Sequence, residues 1–258
     1  MADHAADGTG GRHGVPRGRA PGTDRLGIVF DIDDTLYLER DYARSGFRAV
    51  GAWAAERGLA GLDRRCWNLF ERGVRGRVFD EALEGTRHAL GQDPVGRMVA
   101  LYRAHRPAIA LLPDVEPFLE RFAEHGFAAI SDGPLASQSA KVEALGLRER
   151  LDLVLLTDAW GPAFWKPHPR AFAEAEHALG VPPERMVYIA DNPAKDFLTP
   201  NARGWLTIGL ERPGRLHAGV PPSPAHAPAL LAPDLHRAGD QLARVIALRE
   251  DNEARRSA

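Results

Sequence analysis

Cysteine is almost absent from this 258-residue chain, and long apolar runs are missing. The single cysteine, Cys66, has no partner for an internal disulfide or a thiolate metal cluster, which favours a reducing, cytoplasmic setting. No segment approaches the roughly 20 apolar residues needed to cross a bilayer. The first residues also lack the apolar core of a secretory signal. We therefore expect no membrane partner.

An excess of charge of one sign is missing as well. Lys and Arg number 33 against 35 Asp and Glu, which gives a formal net charge of -2. This balance does not indicate binding to nucleic acid, and it leaves the oligomeric state open. Residues 1–25 are rich in Gly, Ala and Arg. Because they bury too little apolar surface to offset the entropy of ordering, they are predicted to form a disordered leader.

The chain does contain a regular alternation of apolar runs and amphipathic segments. Five apolar runs predict buried strands, at residues 26–30, 127–131, 151–156, 186–190 and 205–210. The later ones are separated by segments of helical periodicity. This pattern predicts an α/β fold, a Rossmann-like parallel sheet with helices on both faces. Residues 26–37 and 109–212 are assigned to that core.

Residues 38–108 break the alternation. Their apolar residues recur at helical spacing between good helix formers, which predicts several helices and no strand. We interpret the stretch as an inserted, smaller helical domain. Residues 213–233 are rich in Pro and Ala and predict a semi-extended connector rather than a packed element. Residues 234–250 predict a last amphipathic helix.

Carboxylates cluster after two of the predicted strands. Asp31 and Asp33 follow the first strand in DIDDTL, and Asp191 and Asp196 follow the strand MVYIA. Because ligands of open parallel sheets bind beyond the carboxyl ends of the strands, both clusters are expected at the same edge. Converging carboxylates repel one another unless protons or a metal intervene. An all-oxygen site with room for water suits Mg2+.

Plainer interpretations exist for each cluster alone. Asp and Asn after a strand often cap the next helix or form a turn. DIDDTL also approaches the calcium-loop pattern, but Leu36 stands where that loop requires Gly.

Two further segments make the combination more specific. Ser131 ends the strand FAAIS and precedes Asp132 and Gly133, so that a hydroxyl and an exposed backbone N–H are available to phosphate oxygens. Lys166 stands in WKPHP, where a cation would balance the carboxylates and the charge that develops in phosphoryl transfer. A lone lysine is usually a surface residue. The order of all these groups at successive strand ends is much harder to obtain by chance.

Together, FDIDDTL, ISDG, KPHP and ADNPAKD resemble the four signature motifs of the haloacid dehalogenase (HAD) superfamily. The resemblance covers about residues 26–211, with the helical insert where that superfamily places its type-one cap. It implies a HAD-like core with an inserted helical cap. It also implies a Mg2+-dependent phosphatase that acts on a small phosphorylated metabolite.

The same resemblance implies roles for individual residues. Asp31 is expected to attack phosphorus and form an aspartyl-phosphate, and Asp33 to act as general acid and base. Mg2+ is expected between the Asp31 carboxylate, the backbone carbonyl of Asp33, and Asp191. Ser131 and Lys166 complete the expected catalytic set.

Four more residues are expected around this set. Asp196 is expected to act behind the metal ligands or through water, and to hold Lys166. Thr35 is expected to orient the loop, and Asp132 and Gly133 are placed near the substrate.

The chain departs from the family pattern at two positions. Ala190 stands where Gly is common, and Asp34 stands where many members have Gly. Asp34 is open to two interpretations, a cap hinge or a turn-stabilising residue.

Asp33 bears on the type of reaction. Members that resemble true dehalogenases lack a carboxylate at this position, because a halide leaving group needs no proton. Asp33 therefore favours phosphate chemistry. Two alternatives remain: a phosphotransferase or mutase with the same intermediate, and a non-catalytic phosphate-binding domain.

Substrate recognition is expected to come from the helical insert, although each candidate there also fits a solvated helix face. The candidate residues are Tyr42, Arg44, Arg75, Arg77, His88, Arg103 and His105.

Overall fold

The computed structural model describes residues 25–86 and 90–257. Six strands lie within them: β1 (Gly27–Phe30), β2 (Gly126–Ser131), β3 (Leu153–Leu156), β4 (Met186–Ala190), β5 (Leu206–Leu210) and β6 (Leu230–Ala232). They form a single sheet in the order β3-β2-β1-β4-β5-β6, and every pairing is parallel. The predicted fold class is confirmed.

Ten helices of the described residues accompany the sheet. They are α1 (Glu39–Ala55), α2 (Leu62–Glu71), α3 (Val78–Ala82), α4 (Pro94–Ala104), α5 (Val115–Arg121), α6 (Leu135–Ala144), α7 (Leu147–Arg150), α8 (Arg170–Leu179), α9 (Leu198–Ala202) and α10 (Leu235–Ser257).

The sheet is buried on both faces, which explains why its strands read as continuous apolar runs. Every residue of β1, β2 and β4 is buried. One hydrophobic cluster joins one face of the sheet to α5, α6, α7 and α10, with Phe30 and Phe118 in edge-to-face contact. A second cluster joins the other face to α8, where Phe172 packs against Tyr188.

The four helices α1–α4, here called the cap, follow the turn after β1 and have a hydrophobic core of their own. Phe47, Leu83 and Met98 are buried in it, and Phe47 makes edge-to-face contacts with Phe70 and Phe79. These helices fill most of the stretch interpreted as an insert, whose limits at 38 and 108 stay a prediction. The cap places a second apolar unit next to the carboxyl edge of β1.

The connector predicted at 213–233 is wrong in its last part. Leu230–Ala232 is β6, which pairs with β5 in the register Ile208↔Leu230 and Leu210↔Ala232. This strand forms through a tertiary contact, because the edge of β5 is available for pairing. The Thr207 hydroxyl of β5 also accepts the N–H of Ala229 at 2.9 Å. The final helix also continues beyond the expected residue 250, to Ser257.

The helix between β4 and β5, α9, begins at Leu198, after the segment that carries Asp191 and Asp196. Pro200 is its third residue, where a missing N–H breaks no helical hydrogen bond, so it does not end the helix. The leader predicted at 1–25 lies outside the described residues except for Arg25. In the part of the chain that the structure describes, no helix combines the length and apolar character needed to span a membrane.

Candidate active site

The carboxylates that follow β1 and β4 lie side by side at the carboxyl edge of the sheet. These strands are neighbours, and the ladder continues past β1, where the N–H of Asp31 donates to the Ile189 carbonyl at 3.0 Å. Asp191 directly follows β4. Parallel strands end at one edge, which is where open α/β sheets bind ligands. The two acidic segments therefore meet there.

A tight turn follows Asp31. The N–H of Leu36 donates to the Ile32 carbonyl at 3.0 Å and closes the turn. Asp34 has a φ of 52°, in the left-handed region that Gly enters most easily and Asp tolerates. Its carboxylate accepts the backbone N–H groups of Glu39 at 2.8 Å and Leu216 at 2.7 Å. These bonds join the turn to the start of the cap and to the segment after β5.

A buried lysine links the two acidic segments. The Lys166 ammonium lies 2.6 Å from Asp31 Oδ1 and 2.8 Å from Asp196 Oδ1, and no side chain of the three is more than 3% exposed. It also donates to the Tyr188 hydroxyl at 3.1 Å. Burial lowers the pKa of Lys166, but the charges of Asp196 and Asp31 outweigh it and hold that pKa well above its ordinary value. Lys166 therefore stays charged as the counter-ion of both carboxylates.

Asp31 is mostly ionised at neutral pH despite its burial. Burial raises the pKa of its carboxyl to about 6, and the Lys166 ammonium opposes that shift. The ionised form is the one that can act as a nucleophile.

Asp191 has a carboxylate oxygen that nothing satisfies. Its Oδ2 is buried and has no hydrogen-bond partner among the described residues. Burial, followed by the charges of Asp31 and Asp196, raises the pKa of Asp191 to about 9. Each of these three aspartates offers an oxygen within 4.8 Å of those of the other two. An orphaned oxygen among repelling carboxylates fits Mg2+, which takes oxygen ligands and neutralises that repulsion.

The cluster differs in one member from the expected metal ligands. Asp196 stands with Asp31 and Asp191, but its oxygens already accept Lys166 and, at 3.0 Å, the backbone N–H of Asn192. Asp196 thus holds the lysine in place, and Asp191 has the free oxygen.

The carboxylate of Asp33 is held by a separate group of side chains. Lys141 Nζ lies 2.6 Å from its Oδ1, which also accepts the Tyr37 hydroxyl, and Gln138 Nε2 donates to its Oδ2 at 3.2 Å. Burial would raise the pKa of Asp33, but Lys141 and these hydrogen bonds hold it below its usual range. Asp33 is therefore ionised at neutral pH.

Three predicted residues lie at the end of β2. The Ser131 hydroxyl donates to Gln138 Oε1 at 3.2 Å. The Asp132 carboxylate accepts the backbone N–H of Lys166 at 3.0 Å and so fixes the loop that carries the lysine. Gly133 has a φ of 113°, which only glycine adopts readily.

Thr35 is buried in the turn. Its carbonyl accepts Arg212 Nε at 2.8 Å, and its hydroxyl has no partner among the described residues. Its expected role in orienting the loop stays a prediction.

A cavity of about 320 Å³ lies between the sheet edge and the cap. The predicted site residues that line it are Asp31, Asp33, Asp132, Gly133 and Asp191. The side chains of Lys166 and Asp196 are fully buried beside Asp31, and Ser131 and Thr35 do not line the cavity. The structure thus brings the predicted residues together. Five of them line the cavity, and the other four are buried beside it.

Two of the candidate residues for substrate recognition line this cavity, Tyr42 and Arg103. Arg44 lines a different cleft on the cap, with Trp67, and the His105 ring bonds to the Tyr102 carbonyl at 2.6 Å. The remaining candidates, Arg75 and Arg77, are not among the lining residues, and His88 lies outside the described residues.

The sequence analysis missed several polar residues of the cavity, among them Gln138, Lys141, Lys195 and His217. Gln138 and Lys141 lie three residues apart on α6, a spacing that puts both on one helix face but does not say what that face meets. Lys195 lies inside the last motif, 3.5 Å from Asp132. His217, which pairs with Glu39 at 3.5 Å, had no signal.

A sequence model of the haloacid dehalogenase-like hydrolases matches residues 26–201. Glyceraldehyde 3-phosphate phosphatase of Methanopyrus kandleri is 31% identical over 202 residues, covering 72% of this chain and 83% of that protein. Phosphoserine phosphatase of Thermus thermophilus is 29% identical over 196 residues, covering 75% and 68%. (S)-2-haloacid dehalogenase of Xanthobacter autotrophicus is 27% identical over 177 residues, covering 66% of each chain.

Solved structures agree in fold. A HAD family hydrolase from Deinococcus radiodurans R1, crystallised with phosphate and sodium, superposes with a TM-score of 0.58 at 22% identity, covering 86% of this chain and 97% of that one. With its motifs at the ends of the strands and a family match over most of its length, this chain belongs to the haloacid dehalogenase-like hydrolases.

Proposed function

We propose that this hydrolase is a Mg2+-dependent phosphomonoesterase that acts on a small phosphorylated metabolite through an aspartyl-phosphate on Asp31. The observation that carries the proposal is a second carboxylate, Asp33, which lines the same cavity as Asp31. An ester oxygen needs a proton when it leaves, whereas a halide does not. Relatives named as phosphatases support the same conclusion.

In the first step, a carboxylate oxygen of Asp31 attacks phosphorus, and the bond from phosphorus to the ester oxygen breaks. Asp33 hands a proton to that oxygen. Because Asp33 is ionised in the free protein, it must first take up this proton, from the solvent or from the phosphate of the substrate.

In the second step, water attacks phosphorus and Asp31 is released as a carboxylate. Asp33 accepts the proton of the attacking water, and its ionised form suits that task. Lys166, 2.6 Å from Asp31 Oδ1, offsets the charge of the nucleophile throughout. The buried contacts of Lys166 with Asp196 and Tyr188 hold its ammonium, and with it Asp31, in a fixed position beside the cavity.

The metal is proposed to bind at Asp31 and Asp191, with the backbone carbonyl of Asp33 as a further ligand. The unsatisfied Oδ2 of Asp191 supports this assignment. When bound, Mg2+ supplies positive charge that shields the phosphate from the attacking carboxylate. Asp196 contributes indirectly by holding Lys166.

The cavity supports a small substrate. Its volume of about 320 Å³ is at the lower end of ligand pockets, and the cap closes it from one side with Tyr42, Tyr102 and Arg103. We propose that these cap residues contact the part of the substrate beyond the phosphate.

The test is phosphate release from a panel that includes glyceraldehyde 3-phosphate, O-phosphoserine, sugar phosphates and nucleotides, with Mg2+ or with chelator. Asp31→Asn is the matched control, because it keeps the shape of the side chain and removes the nucleophile. We expect release that requires both Mg2+ and Asp31. Release that persists in Asp31→Asn or in chelator would contradict the mechanism.

Two other outcomes decide against hydrolysis of phosphate esters. Chloride release from (S)-2-chloropropionate, without phosphatase activity, would assign the chain to the dehalogenases. Phosphate that appears on an added alcohol or sugar rather than as free phosphate would assign it to the phosphotransferases.

A further inference from the structure

Helix α6 presents Lys141 and Gln138 to the cavity, and neither residue belongs to the four motifs. We propose that these two residues hold Asp33 in the position from which it exchanges protons with the substrate, and that Lys141 is the principal one. The inference rests on the proposed function, because it concerns the acid–base group of that reaction.

Both oxygens of Asp33 are engaged by this pair. Lys141 Nζ lies 2.6 Å from Oδ1, and Gln138 Nε2 donates to Oδ2 at 3.2 Å. Gln138 is itself fixed, since its Oε1 accepts the Ser131 hydroxyl at 3.2 Å. A carboxylate bound at both oxygens cannot rotate without breaking a hydrogen bond, so its orientation toward the cavity is defined.

Lys141 is an unusual residue to find in this place. Its side chain is only 5% exposed, although lysine is among the residues least often buried. A buried ion pair adds little stability compared with apolar side chains of similar volume. Its position beside the cavity is therefore better explained by what it does to Asp33 than by the stability of the fold.

The cap also contacts this lysine. The ammonium lies 4.4 Å from the centre of the Tyr42 ring, a cation–π distance, and Tyr42 belongs to α1 of the cap. On the same face of α6, the Ser137 hydroxyl donates to the Arg103 carbonyl at 3.1 Å. Lys141 is thus fixed from the core by Asp33 and from the cap by Tyr42, and the acid–base group is positioned only when both sides are in place.

The experiment compares two leaving groups. An alkyl phosphate such as glycerol 3-phosphate needs a proton on its leaving oxygen, whereas p-nitrophenyl phosphate does not. The parameter is kcat/KM, which covers the steps up to phosphoryl transfer. We expect Lys141→Met to lower kcat/KM about 100-fold for the alkyl ester, the usual size of an acid–base contribution, and only a few-fold for the nitrophenyl ester. Lys141→Arg, which retains a cation, should recover part of the loss.

A double-mutant cycle distinguishes positioning from direct contact with the substrate. If Lys141 acts through Asp33, Lys141→Met should cause no further loss in an Asp33→Asn background. Gln138→Leu should give a smaller loss with the same dependence on the leaving group. Arg150→Met, which removes an exposed ion pair with Glu116 on another helix, is the control and should leave both substrates at the parent rate.

Additive losses in the cycle, or equal losses for the two substrates, would overturn the inference and leave the proposed function standing. A folded parent protein that hydrolyses neither ester nor any member of the metabolite panel would refute the proposed function, and the inference with it. Circular dichroism of each variant shows whether a loss reflects unfolding, and Lys141→Arg covers the case in which Lys141→Met does not fold.

Discussion

Arg212 follows β5 and connects this segment to the turn after β1, to the start of α5 and, through Asp114, to the start of α10. Its removal should lower the stability of the protein strongly. Its guanidinium bonds Asp114 in a bidentate manner at 2.8 and 3.2 Å, and its Nε donates to the Thr35 carbonyl at 2.8 Å. Asp114 also accepts the N–H of Leu235 at the start of α10. Both charged side chains are buried, at 6% and 7% exposure.

Arg212→Met leaves the Asp114 carboxylate buried without its counter-charge. Breaking such a pair from one side costs about 3–5 kcal/mol in the free energy of unfolding. For a protein of this size, each kcal/mol lowers Tm by about 2–4 °C, so the variant should melt about 10 °C below the parent. Arg212→Lys, which keeps the charge but loses the bidentate geometry, should fall between the two.

Urea unfolding followed by circular dichroism measures this loss. Arg150→Met is the matched control, because it removes an ion pair whose side chains are 36% and 49% exposed and which should contribute less than about 1 kcal/mol. If Arg212→Met were no less stable than that control, the reasoning from burial would be refuted.

Three further predictions address the site and the cap. Lys166→Met should lower kcat about 100-fold or more with the fold retained, because Asp31 loses its counter-ion; turnover within a few-fold of the parent would exclude that role. Arg103→Met should raise KM more for substrates with a second anionic group than for those without one. The reason is that Arg103 lines the cavity and has no ion pair among the described residues. Equal changes in KM for the two kinds of substrate would show that Arg103 does not recognise the second anionic group. Burial raises the pKa of the Cys66 thiol to about 12, which leaves about one thiol in 10⁴ ionised at pH 8. A maleimide should therefore label Cys66 only in concentrated urea. Rapid labelling of the native protein would contradict the burial of this thiol.

The parallel sheet was predictable from the chain because its strands carry a local signal. Strands buried on both faces must be apolar throughout, and the helices between them must be amphipathic. The meeting of Asp31 and Asp191 was predictable for the same reason, since both directly follow such strands and parallel strands end at one edge. The resemblance to the family then supplied roles that position alone could not.

The short strand β6 had no comparable signal. Three residues in a Pro- and Ala-rich segment have no periodicity of their own, and they pair only because β5 offers an open edge. The same applies to α9, whose start depends on turns around the site rather than on helix formers.

Tyr37 reaches Asp33 from within the same turn, but Gln138 and Lys141 reach it only through long-range packing. Lys141 lies 108 residues away along the chain and meets Asp33 only because α6 follows β2, the neighbour of β1. Arg212 and Thr35 are 177 residues apart and yet share a hydrogen bond. Periodicity and motif spacing report on a residue's own segment, so they identified the acids at the strand ends. Which cations would neutralise those acids, and which cap residues would face them, was decided by the way separate elements pack against one another.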